Sequence, residues 1–229
     1  FVTADGRVSE MKKQFWMSVD EISNAQYARF DPAHDSRLER GEFLQFTVQE
    51  RGYPLNTPTQ PVCRVSCESA EAFCRFAGKQ FGMRIRLPSN DEWEWAARAG
   101  AATPLFFGET DSDFSPFANL ADATFRRMDR FRANMPGAAV PEWRPADTNR
   151  NDGFRVSAPD GSFAANAWGL RDVHGNVWEW TADRLPDGRA CARGGSWWKR
   201  PQYATFASRV PYPPWQRVYD VGFRVLLEE

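Results

Sequence analysis

The sequence predicts a domain that mixes short helices and short β-stretches around a long irregular middle. Three observations predict it: serine caps at three places, β-type stretches beside the capped segments, and residues 101–167, which are rich in Pro, Asn, Asp and Gly and lack regular periodicity. In chain order, residues 14–19 read as a strand. Ser23-Asn24-Ala25-Gln26 is a capping box opening a helix through about Phe30, with Pro32 just beyond. Ser66 is a good N-cap for a helix whose apolar positions Ala70, Phe73, Cys74 and Ala77 follow helical spacing, and Gly78 is expected to end it. Residues 84–87 read as a strand. Ser89 with Glu92 forms a second capping box for a helix over 91–99 that Gly100 stops. Residues 190–194 and 221–227 close the chain as strands. The middle carries Phe106, Phe107, Phe114, Phe117 and Trp143, and disordered segments are poor in aromatics, so its loops are expected to be ordered. No internal repeat, low-complexity tract or linker is visible.

At 229 residues and 42% hydrophobic, the chain suits one large globular domain spanning 1–229. Ten Trp and eighteen Phe serve equally for a core or a recognition surface. A net charge of -1 gives no electrostatic reason to expect nucleic acid or an anionic membrane as partner. The absence of any run of roughly 18 apolar residues argues against a membrane-spanning helix. A first residue of Phe1 rather than Met reads as a processed or trimmed product, from which an export signal would already be lost. Cys63, Cys67, Cys74 and Cys191 lack the spacing of a disulfide scaffold and are expected to be buried free thiols. With only His34 and His174 and no Cys-x-x-Cys, no zinc site is expected.

Several stretches, read together, resemble one family. Arg86-Leu87-Pro88-Ser89-Asn90-Asp91-Glu92-Trp93-Glu94-Trp95-Ala96-Ala97-Arg98, Gly175-Asn176-Val177-Trp178-Glu179-Trp180, Arg193-Gly194-Gly195-Ser196-Trp197 and Val221-Gly222-Phe223-Arg224-Val225 occur in the order and spacing of formylglycine-generating-enzyme-like, or sulfatase-modifying-factor, domains. Arg64-Val65-Ser66-Cys67-Glu68-Ser69-Ala70 is similar to a fifth motif, with Cys67 where the family has Trp. The resemblance covers the chain from about Phe15 to its end. It implies an α+β fold with a C-type-lectin-like twist, little regular structure and long calcium-supported loops. The family holds a copper oxidase, domains attached to iron-dependent sulfoxide synthases, pyoverdine-maturation proteins and variable binding proteins, so the fold alone does not fix function.

In the oxidase, two cysteines at the third and eighth positions after the Ser of Gly-Gly-Ser bind copper(I), for which soft thiolates are suited. Counted from Ser196, those positions are Lys199 and Ala204, and residues 197–219 contain no cysteine. No copper is therefore expected. The resemblance carries calcium better. It implies a first site from Asn119, the carbonyl of Leu120, Asp152 and the carbonyl of Phe154, and a second from Asp172, the carbonyls of Gly175 and Val177, and the Glu179 carboxylate; oxygen donors on tight turns are what calcium requires. Read without the resemblance, Asp152 and Asp172 are turn formers and Glu179 pairs with a buried Arg. The sulfoxide synthases take their iron ligands from three His of a separate domain absent from this chain. A Ser196–His174–Asp172 hydrolase has no nucleophile elbow to support it.

The expected function is a non-catalytic, calcium-stabilised binding or scaffold module, working outside the cytoplasm through the segment that forms the family's cleft. Its expected ligand residues are Ser196, Trp198, Lys199, Arg200, Tyr212, Trp215 and Arg217, because Trp, Tyr and Arg dominate binding hot spots and suit a peptide, protein or carbohydrate ligand. A subunit of a larger assembly is a further possibility. The competing expectation is an oxidoreductase of the same superfamily, acting on a peptide or small molecule with another metal or a partner domain.

Overall fold

A computed structural model describes residues 1–11, 13–37, 55–124 and 146–228; Trp143 lies outside the described residues. All three serine caps form. At the first, the Ser23 hydroxyl accepts the Gln26 amide and Gln26 Oε1 accepts the Ser23 amide at 2.8 Å. Helix α1 is only Asn24–Tyr27, not a helix through Phe30. Hydrogen bonds from Arg29 N to Gln26 O and from Phe30 N to Tyr27 O tighten the next turn to three-residue spacing and interrupt the α-helical ladder.

Helix α2, Cys67–Phe81, runs past the expected stop at Gly78 to a left-handed cap at Gly82. Gly78 has another job: a β-carbon there would lie 2.8 Å from the Met83 carbonyl, so the missing side chain lets strand β2, Arg84–Arg86, turn back against the helix. Helix α3, Asn90–Arg98, opens on the Ser89–Glu92 box and ends at Ala99.

Among the described residues, seven strands make two sheets. The first has order β1-β7-β2, with β1 (Phe15–Met17) and β2 both antiparallel to β7 (Leu226–Glu228). The second has order β5-β4-β3-β6, built from β3 (Trp178–Arg184), β4 (Ala190–Arg193), β5 (Arg209–Tyr212) and β6 (Val221–Gly222), with β3 and β6 parallel. The expected strand over 221–227 is thus divided, its first half in one sheet and its last residues in the other. Two strands, β3 and β5, were not expected from the sequence.

The main core lies between α1, α2 and the second sheet. Phe73 stacks on Tyr27 at 5.6 Å, and Phe223 meets both rings edge-on. Trp180 is fully buried and its indole donates to the Val65 carbonyl at 2.9 Å; sequestering side chains of this size is worth roughly 1.5–3 kcal/mol each. The described parts of the middle are held as loops by packing. Phe107 stacks on Phe117 at 5.2 Å, Phe106 meets Phe117 edge-on, and Phe114 is fully buried. All four cysteines are buried free thiols. Among the described residues, no helix is long and apolar enough to cross a membrane.

Candidate functional site

Three loops meet at the end of strand β4. The first is the 194–199 turn that continues it, the second the 172–177 turn that leads into β3, and the third the 118–124 segment. Backbone bonds tie them together: Gly175 N to Gly194 O at 2.9 Å, Trp197 N to Asn176 O at 2.9 Å, Asn176 N to Asn119 O at 2.8 Å and Ala121 N to Lys199 O at 2.9 Å. Residue 195 is glycine because a β-carbon there would fall 2.5 Å from the Ala204 methyl.

The turn points Ser196 inward. Its hydroxyl donates to Asp220 Oδ2 at 2.7 Å, and both residues are buried. Burial pushes the Asp220 carboxyl up, while Ser196 and the nearby Lys199 ammonium pull it down. Trp198 and Tyr219 pack edge to face at 5.9 Å beside them, and Trp197 is buried with its indole N–H unpartnered. Of the expected ligand residues, Ser196, Trp198 and Lys199 therefore gather at one place. Tyr212 packs on Trp180, at 5.9 Å, within electrostatic reach of Asp220. Arg200 lies against the Gln202 side chain. Trp215 is 67% exposed next to Pro214, whose carbonyl accepts from Glu68 at the start of α2, and exposed Arg217 lies toward Tyr27 and His34.

Neither histidine is free for chemistry. His174 is fully buried, with Nδ1 2.6 Å from the Ala204 carbonyl and Nε2 accepting the Phe106 amide at 3.1 Å, and burial depresses its pKa to about 3. His34 Nε2 is bound to the Cys63 carbonyl at 2.8 Å. Ser196, His174 and Asp172 do not form a triad, since Ser196 is committed to Asp220 and both nitrogens of His174 are occupied.

The residues expected to hold cations fall in two places beside these loops. In the first, Asp152 accepts the amides of Leu120 and Phe154, both at 2.8 Å, and Asp122 Oδ2 accepts the Asp152 amide at 2.7 Å. Burial, and then the Asp122 charge, push Asp152 up to about 8. Asn119 donates to Val156 O at 2.8 Å and Asn176 Oδ1 at 3.1 Å, which leaves its own buried Oδ1 unpartnered. In the second, both carboxylate oxygens of Asp172 are buried and unpartnered, and burial raises this group to about 7. Glu179 is held by Arg224, Nε to Oε2 and a terminal nitrogen to Oε1, each at 2.7 Å, and its Oε2 also accepts the Trp93 indole at 2.6 Å. The pairing of Glu179 with a buried Arg is therefore present, and Oε1 has a single donor in this set. Among the described residues, no three His, Cys, Asp or Glu side chains converge on one point, so a cation here would lean on amide and carbonyl oxygens.

Sequence reasoning missed Glu21, Asp122 and Asp220. Glu21 is buried and accepts from Asn176 Nδ2 at 2.7 Å and the Val177 amide at 3.2 Å. Burial, then the charges of Asp172 and Glu179, push it well above the usual carboxylate range. An acid three places after Asn119 was a usable signal for Asp122; Glu21 and Asp220 offered no local one.

Residues 6–229 match the family described as the sulfatase-modifying factor enzyme 1-like domain. The chain is 34% identical over 216 residues to the formylglycine-generating enzyme of Thermomonospora curvata, covering 90% of this chain and 57% of that one. It is also 34% identical over 141 residues to the inactive C-alpha-formylglycine-generating enzyme 2 of Mus musculus, covering 60% of this chain and 37% of that protein. The chain thus spans less than two thirds of the length of these relatives. Among solved structures, PvdO from Pseudomonas aeruginosa superposes with a TM-score of 0.67 at 25% identity, over 94% of this chain and 80% of that one. The fold is accordingly the α+β one that the resemblance implied.

Proposed function

The chain belongs to the sulfatase-modifying factor enzyme 1-like family, and from that premise we propose that it is a non-catalytic, calcium-stabilised binding module whose ligand seats around Ser196. Relatives named as active and as inactive both match, so membership leaves the activity open and the site must decide it. One observation carries the reading: the copper positions hold Lys199, an ammonium, and Ala204, a methyl packed under Gly195. Neither supplies a soft donor. The thiol in the cluster around Trp197 is Cys63, single, fully buried and pushed well up by burial; thiolates, not thiols, are the ligands copper(I) takes. These residues do not fit copper.

Calcium fits better, on the unpartnered oxygens of Asn119 and Asp172. The first site would be held by Asn119, Asp152 and the Leu120 and Phe154 carbonyls, joined by Asp122. The second would be held by Asp172, the Gly175 and Val177 carbonyls and Glu179. The ion would supply positive charge to buried oxygens and stiffen loops that carry the cleft, since the 118–124 segment holds the Lys199 carbonyl and the 172–177 turn holds the Trp197 amide. Trp198, Lys199, Arg200, Tyr212, Trp215 and Arg217 supply ring faces and positive charge for a peptide, protein or carbohydrate ligand. The setting we propose is outside the cytoplasm, where calcium is plentiful.

Two measurements test the reading. A sulfatase-type Cys-x-Pro-x-Arg peptide, supplied with copper(I) and oxygen, should keep its cysteine mass while an active control enzyme converts it; conversion to formylglycine would overturn the non-catalytic assignment. Chelation followed by millimolar calcium should raise the melting temperature by several degrees, because a ligand at 100 times its Kd stabilises by about 2.7 kcal/mol. An unchanged melt would remove calcium from the reading.

A further inference from the structure

This inference rests on the calcium reading and concerns a residue outside its ligand set. We propose that Glu21 is a positioning residue for the Asp172 site, fixing both the shape of the turn and a charge deficit that one divalent cation fills.

The shape argument starts from hydrogen bonds. Glu21 precedes helix α1, and its two oxygens take the Asn176 side-chain amide and the Val177 backbone amide. Those donors belong to the turn whose Gly175 and Val177 carbonyls would face the ion. Asn176 stands at a φ of +52°, and its Oδ1 is engaged by Ala158 N at 2.8 Å and Asn119 Nδ2 at 3.1 Å. Glu21 thereby holds the nitrogen of the Asn176 side-chain amide, while Asn119 and Ala158 hold its oxygen.

The charge argument is a count. Glu21, Asp172 and Glu179 are each no more than 2% exposed, and the guanidinium buried among them is Arg224. When all three are ionised, as an oxygen-bound cation requires, three carboxylates against one guanidinium leave two negative charges. Arg171, the next cation outward, is already held by both oxygens of Asp20, at 2.8 and 3.0 Å. Uncompensated buried charge is expensive, and the oxygens left without any donor are those of Asp172. An ion of charge +2 satisfies them and balances the pocket. Glu21 needs no bond to the ion to contribute, since its charge acts across a dry interior.

The test compares Glu21→Gln with the unaltered protein by calorimetric calcium titration and by melting of the chelated form, with the binding phase lost in Asp172→Ala identifying the site. Glu21→Gln keeps the side-chain shape and one acceptor oxygen. It is expected to weaken calcium at this site by about tenfold, since ligand-site charge tunes calcium affinity. In the chelated form the new amide group faces a donor that Glu21 accepted, which offsets the relief of repulsion, so the affinity and not the melt is decisive. Unchanged affinity would overturn the proposal and leave Glu21 a purely structural hydrogen-bond acceptor. No calcium response in the unaltered protein would remove the calcium reading and this proposal together, whereas a normal wild-type response with unchanged Glu21→Gln affinity removes the proposal alone. Should Glu21→Gln fail to fold, the wild type still decides. Terbium luminescence sensitised through Trp93, whose indole is bonded to Glu179, should be displaced by calcium and not by sodium or potassium at the same concentration. Equal displacement by the monovalent ions overturns the two-charge account.

Discussion

Arg224→Met should cost about 3–5 kcal/mol of stability, the loss typical of removing one partner from a buried ion pair. In a domain of this size that amounts to a fall in melting temperature of roughly 6–20 °C. Arg224 is completely buried and all three guanidinium nitrogens are used. Nε and one terminal nitrogen grip Glu179 at 2.7 Å, that same nitrogen reaches the Arg171 carbonyl at 2.8 Å, and the other takes the carbonyls of Ser18 and Val19 at 3.1 Å. It therefore joins the segment leaving β1, the turn entering the Asp172 pocket and strand β3. Methionine matches much of its volume but leaves Glu179 buried without its counter-charge, beside Glu21 and Asp172. Chemical denaturation followed by tryptophan fluorescence measures the loss. A second substitution checks the cause: Arg224→Met with Glu179→Gln should recover part of it, because the orphaned charge is gone. A single variant within 1 kcal/mol of wild type would mean that solvent or an ion already compensates Glu179.

How much of this was legible in the sequence depended on how local the cause was. The caps at Ser23, Ser66 and Ser89 satisfy donors within three residues, so all three were readable and all three are present. Gly78 misled because glycine marks both helix ends and close approaches; its partner, the Met83 carbonyl, shows only in space. Strand β3 was hidden because its first four residues are all buried, which erases the alternation that marks a half-exposed strand. Strand β5 was hidden by Pro211, tolerated there because β5 is the edge of its sheet. The packing of the described parts of the middle was legible through its phenylalanines. In the candidate site, Ser196, Lys199, Asn119 and Asp172 were found from motif positions, whereas Glu21 meets Asn176 across 155 residues and Asp220 meets Ser196 across 24. Pairings at that range leave no periodicity to read.

Gly175→Ala is expected to approach the damage done by the loss of Arg224, and for a different reason. Gly175 stands at a φ of +81°, where an L side chain is strained, and its ideal β-carbon would lie 2.1 Å from the Asn119 carbonyl oxygen and 2.9 Å from Leu120 Cδ2. That carbonyl accepts the Asn176 amide at 2.8 Å, so the methyl cannot be housed without parting the 172–177 turn from the 118–124 loop. Left-handed strain alone accounts for roughly 1–2 kcal/mol, and a backbone clash adds the cost of overpacking, typically 1–3 kcal/mol. Gly169→Ala supplies the control, because Gly169 has a φ of +87° and no atom within 4 Å of its would-be β-carbon. It should lose only the strain, so the difference between the two variants isolates the close approach. The effect should also reach the proposed cations, since the joint that parts carries Asn119 and Leu120 on one side and the Gly175 and Val177 carbonyls on the other. Calcium should then stabilise Gly169→Ala as it does wild type, and Gly175→Ala little or not at all. Equal losses in the two variants would show that the turn and loop shift apart at little cost, and the two cation sites would then have to be treated as independent of that joint.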